Sequence, residues 1–240
     1  MTHTGPNRQT GRSAPEVDII EAQIQQKDGV SHSFASQSLQ VAPFDQEYLF
    51  KNGTEDCTIF DADITQFNSY HGSIYQEAVS SVTQTPDSNF QRSEKKFIRY
   101  GVEFEPDWNA DGSGFTRWYM DGKPTWEVRG SALGPQPAMQ ISQRTIPTEP
   151  MSIIMNLGMS SGFQTLNFET MKFPAQLKVD YVRLYQPKDQ EPRLSCDPPD
   201  HPTADYIKRN HDLYYNPNIT VYQKPFPLNK LTAAAAGKPC

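Results

Sequence analysis

Short runs in which apolar and polar residues alternate dominate this chain, and long helical periodicity is absent. Glu16-Val17-Asp18-Ile19-Ile20-Glu21 interleaves three carboxylates with three β-branched residues, which favour a strand whose alternate side chains share a face. Residues 30–41 alternate loosely with many Ser and Gln (Ser31, Ser33, Ser36, Gln37, Ser38, Gln40) and look like a strand with one polar face. Residues 58–67 and 73–85 are further strand candidates. Residues 96–105 alternate well, and 115–121 and 124–129 flank Asp121-Gly122, a two-residue hairpin signature. Residues 151–159 form a nearly continuous apolar strand, and 175–186 close the series. One short helix is predicted, over 204–211. Residues 1–15 and 43–56 read as loops.

Strict alternation would place Glu16 and Asp18 on one face and turn Glu21 to the other. A β-bulge at Ile19-Ile20 adds one residue and returns Glu21 to the side of Glu16. Two glutamates on one face, with an aspartate between them, suit a retaining glycosidase, whose carboxyls stand about 5–5.5 Å apart. An acidic solvent face on an edge strand would produce a similar pattern.

Composition narrows the field. In 240 residues Pro (20) outnumbers Gly (14), aromatics reach 11% and mean hydropathy is −0.69, which suits short strands joined by turns. Net charge is −6 with scattered basic residues, so no nucleic-acid footprint exists. No apolar stretch approaches the ~18–20 residues of a membrane span, and the N-terminus shows no signal-peptide hydrophobic region. Cys57, Cys196 and Cys240 allow one disulfide, Cys57 with Cys196 the favoured pair, or three unpaired thiols. Asn52-Gly-Thr and Asn218-Ile-Thr are N-glycosylation sequons and fit a secretory lumen, although such tripeptides also arise by chance. No Cys/His spacing suggests zinc, and Asp107/Asp111 lacks the ligand run of a calcium loop, so neither metal nor cofactor is expected.

Other candidate binding residues have both a core and a ligand interpretation. Trp108, Trp118 and Trp126 are aromatic platforms for sugar or core residues. Asn156 is the one amide in an apolar strand; it faces a cleft and a sugar hydroxyl, or it serves a buried structural bond.

Several segments together carry a resemblance. The run 14–21 resembles the bulged catalytic strand of family 16 glycoside hydrolases. Tyr100-Gly-Val-Glu-Phe-Glu-Pro-Asp107, Trp118-Tyr-Met-Asp-Gly-Lys123, residues 149–159 and residues 173–186 follow in that family's order. Ser195-Cys-Asp-Pro-Pro-Asp-His-Pro202 and Tyr215-Asn-Pro-Asn-Ile-Thr220 resemble the fungal β-1,6-glucan synthesis-associated branch. The resemblance implies an all-β, concanavalin A-like jelly roll of antiparallel strands, with Glu16 as nucleophile, Glu21 as acid/base and Asp18 as helper. It also implies a β-glucan partner, a role in fungal wall β-glucan synthesis or remodelling, and a lumenal or extracellular place in the secretory pathway, membrane-held only by an anchor outside this sequence. The alternative is a lectin-like glucan-binding scaffold that cleaves nothing. In this fold the catalytic strand lies near the middle, so the resemblance implies a member shortened at its N-terminus. The expected layout is a loop over 1–15, sandwich over 16–187, a Pro- and aromatic-rich extension packed on it over 188–231, and a disordered tail over 232–240.

Overall fold

The structure, a computed structural model, describes residues 15–221 except 45, 46, 91, 92, 192, 196 and 200. All but the last residue of the expected 1–15 loop, and the whole 232–240 tail, lie outside the described residues. Pro15–Val182 form one compact unit, and residues 183–221 belong to a second.

The first unit is an all-β, jelly-roll-like sandwich. Its elements are β1 (Glu16–Lys27), β2 (Val30–Val41), β3 (Cys57–Ile59), β4 (Thr65–Phe67), β5 (Gly72–Ser73), β6 (Gln76–Gln84), β7 (Tyr100–Glu105), β8 (Phe115–Met120) and β9 (Lys123–Arg129). All named pairs are antiparallel. One sheet runs β1-β2-β6-β4, with β5 also on β6; the other runs β3-β9-β8-β7.

Turn chemistry sets the two tight hairpins. Asp121-Gly122 joins β8 to β9 with φ 49° and 79°, both left-handed, as a two-residue hairpin turn requires. Asp28-Gly29 joins β1 to β2 with φ 54° and 77°. The same Asp-Gly signal therefore extends β1 six residues beyond the acidic hexapeptide.

The layers meet through alternate residues. Leu39, Val41 and Val79 of the first sheet are buried in one cluster with Cys57, Trp118, Trp126 and Val128 of the second, and Val17 packs against it. Trp118 and Trp126 stack at 4.5 Å with their planes 6° apart. At the sandwich edge Arg144 donates to Glu77 Oε2 at 2.7 Å, to the Leu133 carbonyl at 2.7 Å and to the Pro43 carbonyl at 3.1 Å. Both members of that ion pair are buried.

Three strand expectations need correction. Residues 58–67 are two strands, β3 and β4, in different sheets; the turn through Asp61 and Asp63 carries the chain across, with Asp61 Oδ1 accepting from the Asp63 amide at 3.2 Å. Residues 151–159 and 175–186 form no strand, and their apolar side chains stand in solvent, Ile154 at 81% exposure. A strand exists only with a partner to fill its ladder, and alternation alone supplies none.

In the second unit the predicted helix is present as α1 (Ala204–Arg209) and α2 (His211–Tyr214). Asp197 Oδ1 accepts the Thr203 and Ala204 amides at 2.7 and 2.9 Å, tying the start of α1 to the preceding turn. Among the described residues no helix is long and apolar enough to cross a membrane.

Candidate active site

Strand β1 bulges where the sequence places the extra residue. Asp18 pairs with Ser38 and Glu21 with Ser36, so Ile19 and Ile20 together oppose Gln37. Directly opposed residues of an antiparallel pair share a face. Glu16, Asp18 and Glu21 therefore stand with Gln40, Ser38 and Ser36 of β2, and beyond these with Ala78, Ser80 and Val82 of β6.

Side chains of β2 hold the acids. Ser38 Oγ donates to Asp18 Oδ2 at 2.7 Å and approaches Glu21 Oε2 at 3.4 Å, while Gln40 Nε2 donates to Asp18 Oδ2 at 3.0 Å. A hydroxyl has one proton, and the shorter contact assigns it to Asp18. Glu16 stands beside Asp18 on the same face, close enough for the Asp18 charge to act on it. Asp18 is thus held by β2 on one side and faces a glutamate on the other.

Electrostatics follow from this packing. Burial and the Asp18 charge raise the Glu16 pKa above the usual carboxyl value. Glu21 is pushed up to about 7, by burial first, then by Asp18 and Glu16, with Ser38 opposing. Clustered acids in a partly dry setting disfavour simultaneous ionisation. Glu21 is consequently the member able to keep a proton near neutrality. Two further polar atoms on this face, Gln40 Oε1 and Ser80 Oγ, are buried without a hydrogen-bond partner.

The other candidates separate from the acids. Trp118 and Trp126 are fully buried in the stacked core pair, so neither is a platform for ligand, contrary to expectation. Trp108 is 58% exposed on the turn that follows β7, a strand of the opposite sheet. Asn156 lies on the unpaired stretch 151–159 and lines a groove with Met155, Leu157 and residues 175–179. Cys57 is a buried free thiol donating to the Lys51 carbonyl at 3.4 Å within the core, and burial first, then the charges of Asp56 and Glu127, push its pKa up to about 12. Its suggested partner Cys196, and Cys240, lie outside the described residues. Asn52 and Asn218 are both exposed. Asp107 accepts the Gly112 amide at 2.8 Å and the Asp111 amide at 3.2 Å, so its carboxylate organises a loop.

Sequence reasoning missed Ser38, Gln40 and Ser80 as site residues. Their signal was present as the Ser/Gln stripe at 36, 38 and 40, on the face opposite Leu39 and Val41, and as Ser80 beside Val79.

Two facing antiparallel sheets, with three carboxylates gathered on a bulged strand, define the class: a β-sandwich protein with an acidic site on one sheet face. Within it, the chain belongs to the family of beta-glucan synthesis-associated proteins SKN1/KRE6/Sbg1, whose pattern matches residues 1–235. It is 38% identical over 231 residues to beta-glucan synthesis-associated protein SKN1 of Candida albicans, covering 94% of this chain and 30% of that protein. Identity to beta-glucan synthesis-associated protein KRE6 of Saccharomyces cerevisiae (strain ATCC 204508 / S288c) is 37% over 232 residues, covering 95% of this chain and 31% of that protein. The chain thus spans less than a third of the length of these relatives. No solved structure matches it.

Proposed function

We propose that this chain carries the carboxylate site of a protein that builds or remodels fungal cell-wall β-1,6-glucan by retaining glycosyl transfer. The observation that carries the proposal is the bulge. It gathers Glu16, Asp18 and Glu21 on one face and sets Glu21 apart as the acid with a pKa near 7. The relatives' names, beta-glucan synthesis-associated, supply the substrate class.

In the first step the Glu16 carboxylate forms a bond to the anomeric carbon while the glycosidic bond breaks, and Glu21 gives its proton to the departing oxygen. In the second, Glu21 takes a proton from an acceptor hydroxyl, which attacks the same carbon and releases Glu16. A sugar acceptor gives transfer and water gives hydrolysis. Asp18, braced by Ser38 and Gln40, holds the charge that helps keep Glu21 protonated. Asn156 and Trp108 would be outlying contacts to the glucan. Exposure of Asn52 and Asn218 suits glycosylation in a secretory lumen.

Glu16→Gln in a full-length family member tests this. Wall β-1,6-glucan should fall and glucan turnover should drop at least about a thousandfold, as when a nucleophile is removed. Survival of both would leave the glucan-binding scaffold as the function.

A further inference from the structure

The two sheets are irregular at facing positions. The extra residue of β1 lies opposite Gln37; in the second sheet β9 carries an extra residue, Thr125, against the Trp118–Tyr119 step of β8. Polar contacts join the two irregularities through the core. The Trp118 indole N–H donates to the Asp18 carbonyl at 2.9 Å, crossing from one sheet to the other. The Thr125 hydroxyl crosses as well, to Gln37 Oε1 at 2.8 Å, where the Thr83 hydroxyl also donates at 2.9 Å. Trp118, Thr125, Gln37 and Thr83 are all buried.

A bulge interrupts the ladder and increases local twist, so the ladder alone holds the acids on either side of it loosely. Asp18 is the last paired residue before the bulge and Glu21 the first after it. A hydrogen bond to the Asp18 carbonyl fixes the backbone at that hinge. Its donor is itself rigid, since Trp118 is clamped flat against Trp126.

We propose that Trp118 is a positioning residue: its indole N–H pins the β1 bulge through the Asp18 carbonyl and so sets the spacing of the carboxylates that flank it. The inference rests on the carboxylate site described above and deepens it. The fold supplies its own control. Trp126 is the other half of the same stack, equally buried, yet its indole nitrogen has no hydrogen-bond partner.

The experiment compares Trp118→Phe with Trp126→Phe in the whole chain, following the Glu21 carboxyl by carbon-13 NMR titration alongside thermal melting. Both changes shrink the stack and should lower the melting temperature. Only Trp118→Phe should move the Glu21 midpoint, downward by at least about half a pH unit, as the bulge relaxes and water enters. Equal movement in both variants, or none in Trp118→Phe, overturns the proposal. If Trp118→Phe does not fold, the unaltered chain decides: the Trp118 indole proton resonance should shift with the Glu21 titration while that of Trp126 stays fixed. An insensitive Trp118 resonance also overturns it. No glucan is involved, so a negative result leaves the proposed glycosyl transfer standing, and an inert Glu16→Gln leaves the titration contrast standing.

Discussion

Glu21 shows how gathering acids on one face of a sheet bears on stability. Its pKa lies near 7 in the folded chain, against an ordinary value of 4.5. Below pH about 4.5 it is protonated in both folded and unfolded chains, and the stabilisation linked to holding that proton is complete. As pH rises towards 7 the unfolded chain releases the proton first, so this stabilisation is progressively lost and is gone once the folded carboxyl ionises. Glu16, also raised, acts in the same direction. Glu21→Gln should therefore flatten the pH dependence of the melting temperature between about pH 5 and 7.5 and raise it above pH 7. Melting curves across that range check this; an unchanged pH slope would show that Glu21 titrates normally. At this scale the acids were legible, because a bulge is the only way three such carboxylates in Glu16–Glu21 share a face. Trp118 and Trp126 were not. A tryptophan on a strand has the same local pattern whether it faces ligand or core, and only the opposing sheet decides.

At the scale of elements, turns carried the clearest signal and unpaired runs the most misleading one. Asp28-Gly29 and Asp121-Gly122 both adopt left-handed backbone, and that chemistry dictates register in β1–β2 and β8–β9. The Gly29 position is open, with nothing within 4 Å of where a Cβ would stand, so Gly29→Ala isolates the conformational cost from any clash. The expected loss is about 1 kcal/mol by chemical denaturation, with the fold retained. A loss several times larger would mean that the turn does more than reverse the chain. Residues 36–40 show where alternation blurs. Ser36, Ser38 and Gln40 face the acids, as a polar stripe should, but Gln37 points inward and its Oε1 accepts from Thr83 and Thr125. A buried polar network of this kind breaks the apolar rhythm of an inner face, so 30–41 looked only loosely patterned.

Across the whole molecule, the sandwich is closed by an ion pair as well as by apolar packing. Arg144 gathers Glu77 and the carbonyls of Leu133 and Pro43 in a buried site, joining the segment after β9 to β6 and to the end of β2. Arg144→Met would leave Glu77 as a buried charge without this guanidinium and should cost about 3–5 kcal/mol. The double change Glu77→Leu with Arg144→Met should recover much of that loss, since a buried pair replaced by apolar groups is often near neutral. Urea denaturation of the single and double variants measures both. A single variant within about 1 kcal/mol of the parent would show that the pair contributes little.

The sequence by itself determined the strand-rich class, the Asp121-Gly122 hairpin, the bulge after Asp18 and the grouping of Glu16, Asp18 and Glu21, because each follows from backbone geometry over a few neighbouring residues. Tertiary structure alone decided the rest. It sent Trp118 and Trp126 into the core, left Cys57 a buried thiol, divided 58–67 between two sheets and kept 151–159 and 175–186 out of any ladder. The physical reason is the same in each case: burial and hydrogen-bond pairing belong to the partner that a residue meets across space, and that partner is not encoded in its neighbours along the chain.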